Sequence, residues 1–214
     1  MCAVDELMNR VLAATQVTGP FVVGLAGPPG SGKTTLAETL TTALRVRLGD
    51  VAVAQVPMDG FHLADVELAR LGLSGRKGAQ ETFDAAGYAE LLARIRRGSA
   101  DIVYAPSFGR DLEQPIAGAI PVHPGVQVVI TEGNYLLLDL PQWRAVATHI
   151  DEIWYCATES NTRVGRLVNR HVHFGKSPGA AQRWVAEVDE PNARLIESAA
   201  HRADVTVDMS RIGF

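Results

Sequence analysis

The stretch Gly27-Pro28-Pro29-Gly30-Ser31-Gly32-Lys33-Thr34 decides the fold. Its spacing, Gly-x-x-x-x-Gly-Lys-Thr, is that of a loop whose backbone N–H groups converge on phosphate oxygens. The preceding run, Phe21-Val22-Val23-Gly24-Leu25-Ala26, is short and apolar and predicts a buried strand. The following residues repeat Leu36, Leu40, Leu44 and Leu48 every fourth position, which predicts a helix with one apolar stripe. A glycine-rich turn between strand and helix is the setting the mechanism requires, because the helix N-terminus adds favourable partial charge for an anion. On that reading Gly27, Gly30, Ser31, Gly32 and Thr35 belong to the phosphate cradle. Lys33 reaches the outer phosphates and the Thr34 hydroxyl ligates Mg²⁺.

On the N-terminal side, Val4, Leu7, Met8, Val11 and Leu12 keep the helical period, so an amphipathic helix is expected over 4–15, broken by Gly19-Pro20. On the other side, Gly49 ends the loop's helix and 51–56 reads as a second strand, giving a β-α-β unit with parallel strands and a right-handed crossover. Val126-Gln127-Val128-Val129-Ile130 is the most β-prone run and predicts a central strand. Residues 152–156 and 205–207 supply two more core strands. A weaker strand is read at 102–104, and 106–124 reads as irregular or hairpin-like turns. Asp84 is expected to cap a helix through Tyr88, Leu91, Leu92 and Ile95, and Pro141 to open another. Residues 159–173 read as a basic helix. After the turn at 175–179 comes a helix through Trp184 and Val188, and Pro191 opens a last one. One α/β domain accounts for 1–214.

The composition is that of an ordinary soluble protein: 214 residues, 47% hydrophobic and 21% charged. A net charge of -4 argues against nucleic acid and anionic membranes as partners, since both call for a basic face. Cys2 and Cys156 stand far apart and in no metal spacing, which suits free thiols in a reduced, cytoplasmic setting. Asp5 and Glu6 sit where a signal peptide would be basic, and no apolar run reaches the length of a membrane span. A homodimer is the default expectation for a soluble enzyme.

Two acids stand where strands end. Asp59 follows the second strand, on the sheet edge where ligands bind in open α/β folds, and is placed to accept a proton from an attacking alcohol. Glu132 ends the central strand in the manner of the acid that assists Mg²⁺ in phosphate-loop enzymes. Arg163, Arg166, Arg170 and Lys176 form a basic group suited to closing over phosphates as a lid spanning about 163–182. Arg76 and Lys77 are candidates for meeting a polar or anionic substrate. His171 and His173 lie two apart on a helix, do not share a face, and are not read as a metal pair. No Asn-Lys-x-Asp guanine signature occurs.

These segments together resemble the kinases that include uridine kinase, phosphoribulokinase and type I pantothenate kinase. Met58-Asp59-Gly60-Phe61-His62, Arg76-Lys77-Gly78-Ala79-Gln80-Glu81-Thr82-Phe83-Asp84 and Thr131-Glu132-Gly133-Asn134-Tyr135 carry the likeness, which spans about 21–196. The resemblance implies a P-loop NTPase fold, three-layer α/β/α with a five-stranded parallel sheet and a helical lid. It implies ATP with Mg²⁺ and a small hydroxyl-bearing acceptor: a sugar, a nucleoside or a pantothenate-like compound. By motif position Asp59 is the base, Glu132 lies near metal and substrate, Arg166 and Arg170 are lid arginines, and Asn192 falls near the nucleotide. Asp59, His62, Arg76, Lys77, Arg110 and Tyr135 form the expected substrate-facing set. Gln80 stands where pantothenate kinases carry Pro, and the chain is shorter than theirs. A nucleotide hydrolase and a non-catalytic ATP-binding regulator are the alternatives, told apart by whether an alcohol stimulates ADP release.

Overall fold

The computed structural model describes residues 3–15 and 19–212; Cys2 lies outside them. In chain order the helices are α1 (Ala3–Ala14), α2 (Lys33–Leu48), α3 (Asp65–Arg70), α4 (Ala85–Arg97), α5 (Pro141–Ala147), α6 (Ser160–His173), α7 (Pro178–Trp184) and α8 (Glu190–Ser198). The strands are β1 (Phe21–Ala26), β2 (Val53–Pro57), β3 (Val103–Gly109), β4 (Gln114–Val122), β5 (Val128–Gly133), β6 (Glu152–Ala157) and β7 (Val205–Asp208). Five of them form a parallel sheet in the order β2-β5-β1-β6-β7, and β3 pairs with β4 as a separate antiparallel hairpin.

All six residues of β1 are buried, which is why its sequence is an unbroken apolar run. Its side chains alternate between two cores. Phe21, Val23 and Leu25 pack with Met8 and Val11 of α1 and Leu36, Leu40 and Leu44 of α2. Val22 and Ala26 pack with Tyr88 and Leu92 of α4 and Trp143 of α5. Helices thus cover both faces of the sheet, the three-layer arrangement expected. Each fully buried leucine of the α2 stripe contributes about 1.5–3 kcal/mol, so packing rather than intrinsic propensity holds this helix. Asp84 caps α4 by accepting the Gly87 N–H at 2.8 Å, and Pro141 opens α5 as expected.

Three readings are refined. Residues 50–52 form a short 3₁₀ turn, so the second strand begins at Val53. Residues 103–122 form a hairpin, which extends the weak strand read at 102–104 and decides for the hairpin-like alternative at 106–124. Pro106 falls where the register shifts between Ala105 and Ser107, a bulge that tolerates a missing N–H, and that proline hid the strand. Pro191 stands in the first turn of α8, as expected, but that helix does not start afresh. Val185–Asp189 continue α7 into α8 as a π-helical segment, in which the Glu190 N–H bonds back to the Val185 carbonyl. Proline has no N–H for the Glu187 carbonyl and crowds it, and the wider turn absorbs both effects. Among the described residues no helix is long and apolar enough to cross a membrane.

Candidate active site

Strand register builds the site. Pro57 of β2 lies beside Glu132 of β5, and Glu132 beside Leu25 of β1, so three strands end at one level. The phosphate loop leaves β1 there, Asp59 leaves β2, and Glu132 closes β5. This is the crevice at the carboxyl ends of the strands where open α/β sheets bind ligands.

The loop is held from below. Thr158 donates its hydroxyl to the Ser31 carbonyl at 2.8 Å, and Arg163 donates to the Pro29 carbonyl at 3.4 Å. Gly30 adopts φ 79°, and a Cβ there would come within 2.9 Å of the Arg163 carbonyl. Arg163 is only 1% exposed and pairs with Glu190 of α8 at 2.6 Å. The structure therefore places Arg163 beneath the loop, a buried support and not a lid residue. Its neighbours one and two turns on, Arg166 and Arg170, do face the cleft, and Arg166 donates to the Gly30 carbonyl at 3.4 Å.

The cleft above the loop has a volume of ≈ 690 Å³. Gly30, Gly32, Lys33, Thr34 and Thr35 line one wall, Asp59, His62, Lys77 and Arg110 another, and Arg166, Arg170 and Asn192 overhang it. An adjoining lobe of ≈ 790 Å³ shares Asp59, His62, Lys77, Arg110 and Arg170 but none of the loop residues. The cleft thus has one lobe that carries the phosphate loop and one that does not. Burial and the nearby Arg110 lower the pKa of Arg170. Two guanidiniums facing one cavity are a setting that favours an anion between them.

Glu132 is 3% exposed and accepts a hydrogen bond from the Thr34 hydroxyl. Burial pushes its carboxyl up to about 7 against the pull of Lys33; Asp59 adds to the rise, while Thr34 and Arg110 oppose it. A hydroxyl and a buried carboxyl already in contact are a pair of oxygens that could hold a cation. Among the described residues no group of three or more His, Cys, Asp or Glu could hold a metal unaided. Thr34 and Glu132 could hold Mg²⁺ only together with ligands from outside the chain, such as phosphate oxygens and water.

Several expected residues lie elsewhere. Within the loop, Gly27 and Ser31 face inward and do not line the cleft: Ser31 is fully buried, and a Cβ on Gly27 would come within 2.8 Å of its Oγ. Arg76 does not line the cleft and pairs with Glu81 at 2.7 Å. Tyr135 is fully buried and donates its hydroxyl to the Gly78 carbonyl at 2.5 Å, fixing the segment that presents Lys77. Lys77 itself bonds Asp65 at 2.7 Å and the Glu113 carbonyl at 2.5 Å. Asn134, Trp184 and Asp189 line the cleft without having been assigned a role, and His171 bonds Asp189 at 2.8 Å. Asn134 had a signal, its place directly after the strand-ending Glu-Gly pair. Asp189 had none, because the π turn that aims it is not written in helical periodicity.

No family model matches the chain. A Schizosaccharomyces pombe protein with a provisional uridine kinase name, C227.14, is 36% identical over 175 residues, covering 80% of this chain and 74% of that protein. A pantothenate kinase of Mycolicibacterium vanbaalenii is 31% identical over 166 residues, 72% of this chain and 53% of that protein. The crystal structure of a Silicibacter sp. TM1040 protein, provisionally called a fructose transport system kinase, superposes with a TM-score of 0.86 at 36% identity. It covers 97% of this chain and 100% of that one. Alike in sequence to the first over most of both lengths, and in sequence and fold to the third over nearly all, the chain belongs to the phosphate-loop kinases of the uridine kinase, phosphoribulokinase and type I pantothenate kinase superfamily, ATP-dependent phosphotransferases acting on small-molecule alcohols.

Proposed function

We propose that this kinase passes the γ-phosphate of ATP to one hydroxyl of a small polyhydroxy or hydroxy-acid acceptor, with Asp59 as the general base. The observation that carries this is a contrast between two acids at the same sheet edge. The Glu132 carboxyl is buried against Thr34, whereas the Asp59 side chain is 37% exposed and opens into both lobes of the cleft. Of the two, Asp59 is the one open to an incoming alcohol.

The other roles follow from position. Lys33 and the loop N–H groups bind the β- and γ-phosphates, and Asn192 lies against the nucleotide. Thr34 and Glu132 hold Mg²⁺, which supplies charge neutralisation on the phosphate oxygens. Arg166 and Arg170 meet the negative charge of the transferring group and, closing over it, exclude water that would compete as acceptor. His62, Lys77 and Arg110 border the acceptor lobe.

The test is ADP release from Mg-ATP across sugars, nucleosides, hydroxy acids and pantothenate, with Asp59→Asn run in parallel. The expected result is stimulation by one acceptor class, reduced about 10²–10⁴-fold in the variant with ATP affinity nearly unchanged. Retained turnover in Asp59→Asn removes its role as base, and release indifferent to every acceptor makes the protein a hydrolase.

A further inference from the structure

His62 lies beside the proposed base, and its surroundings define what it can do. Its side chain is 10% exposed, and its ring lies 4.0 Å from the ring of Phe83 and 4.8 Å from that of Phe108. Nδ1 is buried and has no hydrogen-bond partner. Nε2 lies 4.0 Å from Asp59 Oδ1, and the residue borders both lobes of the cleft.

These facts fix the tautomer. A neutral imidazole has one N–H and one lone pair. Placing the lone pair on Nε2 would aim it at a carboxylate and leave a buried N–H on Nδ1 unpaired. Placing the proton on Nε2 turns a donor toward Asp59 and the cleft, and leaves only an acceptor unsatisfied. The imidazole is held neutral, since burial depresses its pKa and Lys77 adds to that effect while Asp59 and Asp65 oppose it. The site therefore presents an N–H beside a carboxylate, with a gap too long for a direct bond, which would be about 3 Å.

We infer that this gap is filled by two adjacent oxygens of the acceptor. The reactive hydroxyl donates to Asp59, and the oxygen on the neighbouring carbon accepts from His62 Nε2–H. A donor on the reactive oxygen itself would draw electron density away from the nucleophile as it attacks phosphorus. A donor on its neighbour leaves the nucleophile free and fixes its direction. The acceptor class is a vicinal diol, an α-hydroxy acid or an equivalent pair of oxygens, and His62 selects for it. In the transfer step the hydroxyl oxygen bonds to γ-phosphorus as the bond to the β-bridging oxygen breaks. ADP leaves, and the hydroxyl proton passes to Asp59.

The inference rests on the kinase reading, and the experiment separates the two. D-fructose, D-ribose, D-glycerate, uridine and pantothenate are assayed with Mg-ATP. Each accepted compound is then compared with its analogue lacking the oxygen next to the phosphorylated hydroxyl; pantothenate carries no oxygen on the carbon beside its primary hydroxyl, so its use there in preference to the others overturns the inference. For the wild type kcat/KM is expected to fall at least about tenfold on losing that oxygen, as for one unpaired hydrogen-bonding group. In His62→Leu the two compounds should be used equally, while His62→Gln, which keeps an N–H, restores part of the preference. A merely structural role would lower both compounds together in every variant. Should His62→Leu not fold, wild type against His62→Gln over the same pairs still decides, with a preference undiminished in Gln's shorter reach counting against the assignment. Equal use of both compounds by the wild type overturns the inference and leaves the kinase intact. ADP release indifferent to every acceptor overturns both.

Discussion

At the scale of single residues, small environments decide what each group can do. Gly30 sits at φ 79° with no room for a Cβ against Arg163, so Gly30→Ala combines backbone strain with a displaced loop. It should cost about 1–3 kcal/mol in urea denaturation and weaken ATP binding more than tenfold in calorimetry. Cys156 is fully buried, and burial pushes its thiol up to about 12. In a Cys2→Ser background, iodoacetamide should label Cys156 only after denaturation, because the thiolate is the nucleophile. His62 gives a pH prediction. Its ordinary pKa is about 6.5 and burial lowers it, so as pH falls the unfolded chain takes up that proton first. The stability it contributes is complete above about pH 6.5 and is lost as pH falls toward the depressed folded value. Urea midpoints should fall more steeply on acidification for wild type than for His62→Gln.

At the scale of elements, the site is made by pieces that tie others down. Arg163 joins α6, the phosphate loop and α8 through Pro29 and Glu190, with Glu197 at 3.8 Å. Glu190→Ala removes one side of that pair and should cost about 2–3 kcal/mol, below the range for a fully buried pair because Glu190 is 26% exposed. Tyr135→Phe frees the Gly78 carbonyl and should raise KM for the acceptor with little change for ATP. The elements themselves were largely legible. The Leu36 to Leu48 repeat, the Asp84 cap and the apolar runs at Phe21 and Val128 follow from periodicity and capping, which are local. What escaped is non-local. Arg163 looks in sequence like one more member of a basic helix face, and only the approach of α8 reveals it as buried. Asp189 depends on a π turn set by Pro191, and the hairpin on a bulge at Pro106. The loop residues, Asp59 and the arginines Arg166 and Arg170 converge on one cleft because strand ends and register bring them there. Arg76 does not, because Glu81 holds it outside.

For the molecule as a whole, the two cores on either side of one sheet hold the strand ends at one level, and α2, α6, α7 and α8 add the rest of the cleft's lining. The strands end together and the helices support them. The sheet order β2-β5-β1 also has a consequence for synthesis. β1 and β2 are consecutive in the chain, yet they never touch; the slot between them belongs to β5, which ends at Gly133. A chain emerging from the ribosome has both flanking strands long before the one that joins them. Until Val128–Gly133 is free, the facing edges of β1 and β2 carry unpaired N–H and C=O groups, the kind of edge that recruits other chains. The nascent N-terminal half is therefore the species most in need of a chaperone, and a polypeptide stalled before residue 128 should aggregate where the finished one does not.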